Sequence, residues 1–276
     1  MKLYQPLPIS PLALFDSLWR NRQLIWQMSK REVLGRYRGS MMGVAWSFFN
    51  PIFMLAVYTF VFSFVFKSRW DVDVSVDQGG FAVILFAGMI VHGLFAECVN
   101  RAPGLLLNNV NYVKKVVFPL EILPWTILVS ALFHTAISVL VLLVAELLLM
   151  HHVPWTILLL PLVWLPFVVA IMGVSWFLAS LGVYLRDVAQ ITGLVTTVLL
   201  FMSPVFYPLS KLPEKFQALL LLNPLTFMIE QTREVLVWGN LPNWGGLLIY
   251  SVCAGLVAWL GFVWFQKTRG GFADVL

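Results

Sequence analysis

VPWTILLLPLVWLPFVVAIMGVSWFLASLGVYL, residues 153–185, contains no Lys, Arg, Asp or Glu. A helix rises about 1.5 Å per residue and a bilayer's hydrocarbon core is about 30 Å thick, so about 20 apolar residues cross it. This stretch is long enough. Five more uncharged runs lie around it, at 41–66, 81–96, 122–145, 188–210 and 235–266. In lipid every backbone amide must be bonded within the protein, which leaves helices or closed barrels. Barrel strands would place a polar residue at every second position, and these runs do not. The reading is an all-α integral membrane fold of six transmembrane helices, one domain over residues 1–276.

Composition agrees. The 276 residues are 60% hydrophobic and 11% charged, with mean hydropathy +0.87; a soluble domain carries about 25% charged residues. The first 40 residues are the longest hydrophilic stretch. They do not read as a signal peptide, because their Lys and Arg are spread out and no short apolar region with a small-residue cleavage site precedes the first span. Cys98 and Cys253 read as small apolar core residues, not as a disulfide.

Six spans put both termini on one side. Thirteen Lys and Arg fall in segments 1–40, 101–118, 186–187 and 267–276, against five in 67–80, 151–155 and 208–240. This bias places both termini in the cytoplasm. It also accounts for the net charge of +5 without a nucleic-acid partner.

Three segments outside the spans are amphipathic. Residues 10–38 read as an interface helix on the cytoplasmic leaflet, with Ser10 as cap and Pro11 at the first helical position. Leu14, Phe15, Leu18, Trp19, Ile25 and Trp26 fall on one face, and Asp16, Arg20, Gln23, Gln27, Lys30 and Arg31 largely on the other. It serves as a membrane anchor, a docking surface for a cytosolic partner, or both. The loop 101–118 is longer than a connection needs to be and reads as a short helix across the membrane base. The outer segment 208–240 reads as two short helices, interrupted by Pro213 and Pro224, re-entrant or resting in the outer interface. Broken helices at membrane depth are tolerated where they pack in protein or line a cavity, so this segment hints at a translocation path.

No GxxxxGK[ST] phosphate loop, HExxH, CxxC or GxSxG occurs, so the chain offers no ATP site of that kind and no such catalytic motif. His151 and His152 adjoin in a short outer loop but lack further ligands nearby, and no metal site is expected. His92, Glu97, Glu121, His134 and Glu146 lie in or near spans and read as polar contacts between helices in preference to a proton relay. Aromatic residues crowd the first span, and the fifth adds more.

The order of several motifs resembles the membrane subunit of ABC-2-type exporters, closest to permeases that export O-antigen, capsular polysaccharide and teichoic acid. The resemblance covers nearly the whole chain. It rests on Arg36-Tyr37-Arg38-Gly39-Ser40-Met41-Met42-Gly43 with Trp46 and Pro51, on NNVNYVKKVVFP at 108–119 followed by Glu121-Ile122-Leu123-Pro124, on Tyr184-Leu185-Arg186-Asp187, on Ser203-Pro204 with Tyr207-Pro208, and on Asn223-Pro224. Met42 stands where such permeases usually have Leu.

The resemblance implies a homodimer in the bacterial inner membrane, with two copies of a cytosolic ATPase that binds ATP and Mg; the permease itself binds no cofactor. It implies an undecaprenyl-diphosphate-linked polysaccharide as substrate, as in lipopolysaccharide biosynthesis. It makes 101–118 the coupling helix loop, with Asn108, Asn109, Asn111, Tyr112, Lys114 and Lys115 as coupling residues, and 208–240 the outer gate helices. Arg36, Arg38, Arg186 and Asp187 belong to the cytoplasmic interface. Phe48, Phe49, Phe53, Tyr58, Phe201, Phe206 and Tyr207 line the sugar channel. An exporter of drugs or lipids is the alternative within transport. A membrane enzyme would need paired acids or a nucleophile with its base near a span end, and a secondary transporter would need inverted repeats and intramembrane carboxylates. Neither pattern is found.

Overall fold

Proline and asparagine set where many of the helices begin. The computed structural model describes residues 10–65, 78–114 and 118–276, and among these all regular structure is helical. The helices are α1 (Pro11–Arg20), α2 (Arg22–Arg36), α3 (Trp46–Tyr58, continuing as a π-helical stretch Thr59–Val65), α4 (Gln78–Arg101), α5 (Val110–Lys114), α6 (Leu123–Met150), α7 (Leu160–Tyr184), α8 (Val188–Phe201), α9 (Glu214–Leu221), α10 (Pro224–Arg233), α11 (Trp244–Thr268) and α12 (Phe272–Val275). Pro lies in the first two positions of α6, α7 and α10, where its missing N–H has no partner to lose. The Asn223 and Asn243 side-chain oxygens accept from Leu225 N (3.0 Å) and Gly246 N (2.9 Å) and cap α10 and α11.

Among the described residues five stretches are long and apolar enough to cross a membrane: Gly43–Phe62, Gly80–Arg101, Leu120–Met150, Trp155–Tyr184 and Trp244–Val275. The sixth expected span differs in extent. The uncharged run continues to residue 210, but α8 stops at Phe201 after 14 residues, about 21 Å. Pro204 has no N–H to extend the helix and disfavours helical backbone at Ser203. The last uncharged run starts at 235, yet α11 starts at Trp244. Residues 235–238 instead complete a π-helical turn after α10, which Gly239 ends at φ 71°, a conformation glycine adopts without strain. The single helix read over 10–38 is two helices meeting at Asn21, whose Nδ2 donates to Ser17 O at 2.8 Å and competes with the helical ladder. Cys98 is buried as expected, but Cys253 is exposed on α11: its run is apolar on every face, so the pattern cannot mark the inward side.

α4 is the centre of the bundle. Ala82, Val83, Ile84, Leu85, Ala87 and Val91 are fully buried, and α4 packs on α3, α6, α7, α8 and α10. α7 and α11 cross very closely. A Cβ on Gly261 would stand 2.1 Å from Gly173 O, and one on Gly173 would stand 2.4 Å from Val257 O. Small residues let membrane helices approach to backbone contact. Gly261→Leu should therefore destabilise the fold by about 3 kcal/mol or more, since the obstructing atoms are main chain. Thermal melting in detergent measures this; an unchanged melting temperature would mean the two helices do not touch at this point.

Candidate functional site

The two ends of α4 carry different chemistry. At its Arg101 end, α2 lies against α6, with Ile25 and Ser29 buried. Phe15, Trp19 and Trp26 point outward, so the apolar residues of the N-terminal segment divide between core and surface. Arg101 pairs with Glu32 of α2 and, at 3.3 Å, with Glu97, which also pairs with Arg36. The result is an alternating chain of two acids and two bases joining α2 to α4. Each pair is partly exposed and weak alone; linked, they fix the angle between the helices.

Tyr37, just beyond α2, meets His134 of α6, with OH to Nε2 at 2.8 Å. His134 Nδ1 lies 2.8 Å from Ser130 O. A carbonyl only accepts, so Nδ1 holds the proton, and in the neutral ring Nε2 accepts from Tyr37. Burial pushes the Tyr37 phenol above its ordinary range, which keeps it a donor. His92 Nε2 donates to Thr196 O at 2.9 Å, joining α4 to α8. His92 thus joins two helices and His134 joins α6 to the residue after α2, whereas Glu146, also read as a contact between helices, has its Oε2 buried without a hydrogen-bond partner among the described residues. A cavity of about 260 Å³ lies between α3, α4 and α6, lined by Asn50, Tyr58, Glu97, His134 and Ser138 among others.

Beyond α4 the chain turns back into α5. The turn packs tightly on α7: a Cβ on Gly182 would stand 2.2 Å from Pro103 O. Asn108, Asn111 and Lys114 are exposed at three-residue spacing and form one stripe. Asn109 turns away and donates to Leu105 O at 2.8 Å. Tyr112 accepts from Arg31 of α2 at 3.0 Å. Lys115 lies outside the described residues. Arg38, Arg186 and Asp187 are exposed.

At the other end of α4 the sequence pattern missed the principal residue. Arg233, read only as one basic residue of an outer segment, is fully buried. Its Nε donates to Ile84 O (3.1 Å), Nη1 to Pro204 O (2.6 Å) and Glu230 Oε1 (2.9 Å), and Nη2 to Val205 O (2.9 Å). The guanidinium thus satisfies carbonyls freed where α8 breaks and ties that break to α4 and α10. Gly88 leaves room for it, since a Cβ there would meet Nη2 at 2.9 Å. Asn223 Nδ2 donates to Ser203 Oγ at 2.9 Å and adds a second tie. Pro213 and Pro224 start α9 and α10.

The seven aromatic positions fall in separate places. Phe48, Phe49 and Phe53 are exposed along α3, with Phe49 and Phe53 beside Tyr37 and Trp46. Tyr58 lines the cavity between α3, α4 and α6. Phe201 and Phe206 stack at 5.7 Å, Phe206 stacks on Phe62 at 6.1 Å, and Tyr207 OH donates to Phe201 O at 2.9 Å. The last group joins the end of α8 to the end of the first span. Among the described residues no group of three or more His, Cys, Asp or Glu is placed to hold a metal ion.

Comparison with known proteins adds a family. Residues 23–237 match the model of the ABC-2 type transporter. The chain is 25% identical to the O-antigen export system permease protein RfbA of Myxococcus xanthus over 265 residues, covering 95% of this chain and 99% of that protein. It is 24% identical to the polysialic acid transport protein KpsM of Escherichia coli, over 77% of this chain and 81% of that one. A shorter likeness, 36% over 89 residues and 31% of each chain, joins it to the daunorubicin resistance ABC transporter permease protein DrrB1 of Streptomyces coeruleorubidus.

Proposed function

The chain belongs to the ABC-2 type transporter family, and from this we propose that it is the membrane-spanning permease subunit of an ATP-driven exporter of a lipid-linked polysaccharide. The observation behind the substrate class is the near full-length likeness to an O-antigen export permease. The daunorubicin permease matches over less than a third of the chain, so export of drugs or lipids is the weaker reading.

In this reading α3, α4, α6, α7, α8 with its continuation past the break, and α11 are the six spans. Both termini face the cytoplasm of a bacterial cell, and the membrane is the inner one. Two copies assemble in this reading, with the exposed apolar residues of α3 and α8, including Phe48, Phe53, Leu194 and Phe201, divided between lipid and the partner copy. Two ATPase subunits, which bind ATP and Mg, sit below. The stripe Asn108, Asn111 and Lys114 supports docking at α5, with Arg36, Arg38, Arg186 and Asp187 on the same side. α9 and α10 gate the outer exit.

The decisive experiment is transport. The permease, co-purified with its ATPase and placed in vesicles, should move an undecaprenyl-diphosphate-linked polymer when given ATP. A complex that moves amphiphilic drugs and leaves the polymer untouched would support the alternative instead.

Phe48, Phe49, Phe53, Tyr58, Phe201, Phe206 and Tyr207 form the sugar path in this proposal. A sliding polymer needs many weak stacking contacts, because one deep site would stall it. Each aromatic contact is worth about 0.5–1.5 kcal/mol, so single Ala changes should slow export about two- to tenfold, combined changes further, and Arg should block it. Surface polymer measured at equal permease level tests this. If Ala and Arg at these positions both leave surface polymer unchanged, the path lies elsewhere.

A further inference from the structure

The residue that follows α11 supplies a cation that none of the steps above uses. Arg269 Nη1 donates to Glu121 Oε2 and Nη2 to Phe118 O, each at 2.7 Å. The fork therefore spans Phe118-Pro119-Leu120-Glu121, the turn that leads into α6. The other carboxylate oxygen of Glu121 accepts from Ser17 Oγ of α1 at 3.0 Å, and its main-chain oxygen accepts from Trp176 Nε1 of α7 at 2.9 Å. On the far side of the turn, the Phe118 ring stacks on Tyr112 of α5 with centroids 4.5 Å apart. Behind Arg269, the buried Phe272 packs on Phe265 at 5.4 Å, and α12 lies against α5 and α7. The Arg269–Glu121 pair thus ties the end of α11 to α1 and to the turn into α6, and through the Glu121 main-chain oxygen and the Phe118 ring the same turn meets α7 and α5 beside the exposed stripe.

A main-chain bond from Ile122 N to Pro119 O, 3.0 Å, closes the short 3-10 helix Leu120–Ile122, but it does not reach Phe118. Pro119 is non-helical (φ −73°, ψ 85°), and its missing N–H removes a donor. The brace comes from Arg269, whose planar fork reaches a carboxylate and a carbonyl together, as a Lys ammonium cannot with the same geometry. We propose that Arg269 is a positioning residue for coupling: it holds the 118–121 turn rigid, so that displacement of α5 passes to α6 and α11 and is not absorbed in the turn. This rests on the exporter reading, in which α5 receives the motion of the ATPase.

The test compares wild type, Arg269→Gln and Arg269→Lys in the reconstituted permease–ATPase complex, reading ATP hydrolysis, polymer moved per ATP and melting temperature. Arg269→Gln should assemble, melt below wild type because the buried Glu121 loses its charged partner, and hydrolyse ATP within about twofold of wild type, while polymer per ATP falls about tenfold. Arg269→Lys should lie between, since it retains the pair with Glu121 and loses the carbonyl. Hydrolysis and export falling in proportion with a lowered melting temperature would reveal a merely structural residue and overturn the proposal. So would an unchanged ratio in both variants. If Arg269→Gln does not assemble, Arg269→Lys decides alone, and a wild-type ratio in it rejects the role. Failure of the wild-type complex to move polymer would instead defeat the exporter reading, which the variants do not touch.

Discussion

Arg233→Leu should leave almost no functional protein in the membrane. Arg233 is fully buried and donates to the main-chain oxygens of Ile84, Pro204 and Val205 and to Glu230. Leucine fills part of the volume but donates nothing. Each buried acceptor left unpaired costs about 1–3 kcal/mol, and Glu230, whose side chain is about a third exposed, loses its ion-pair partner at a smaller cost. Even with partial relaxation, the loss rivals the whole stability of a typical domain, about 5–15 kcal/mol. Arg233→Lys should recover part of it, because one ammonium can meet some of these acceptors. Gly88→Ala should give a milder version of the same defect by crowding Nη2. Membrane level and thermal melting are the measurements. A Leu variant with wild-type level and melting would mean these carbonyls find other donors.

Asn111→Glu combined with Lys114→Glu should have the opposite profile: a normal permease and almost no export. Both residues are exposed, and surface changes of this kind shift stability by about 0.5 kcal/mol or less. In the proposed function they dock the ATPase, where two new carboxylates must be desolvated without partners. A cost of only about 1.4 kcal/mol per carboxylate would lower assembly about tenfold for each. The permease should reach the membrane and melt as wild type does, while the co-purified ATPase and surface polymer both fall. Normal assembly and normal export would remove α5 from the coupling path.

The two predictions also divide what could be read in the sequence from what could not. Uncharged length located α6 and α7 well, because lipid imposes one rule on every backbone amide. Amphipathic spacing found α5, described over Val110–Lys114. Length failed at Phe201 and Trp244, where the runs go on without charge while proline, glycine and asparagine decide the backbone. It failed again at Arg233 and Arg269. Their acceptors lie 149 and 148 residues away, at Ile84 and Glu121, and periodicity reports which face a residue occupies, not what waits opposite. A cation within an outer amphipathic segment looks solvated until the broken end of α8 is set beside it. The polar motif Ser203-Pro204 was the available signal: a break inside an apolar run must be met by donors from elsewhere.

The two cysteines give the protein a ready-made reporter position. Cys98 is buried, and Cys253 is exposed on α11, beside a largely apolar cavity of about 450 Å³ that Asn223 and Pro224 at the α9–α10 junction also line. In detergent, or wherever that cavity admits water to ionise the thiol, a small thiol-reactive fluorophore or spin label should attach at Cys253 and leave Cys98 alone, without any engineering of the chain. Its signal would follow how the outer helices rearrange against α11 through a transport cycle, in the unaltered protein and in real time.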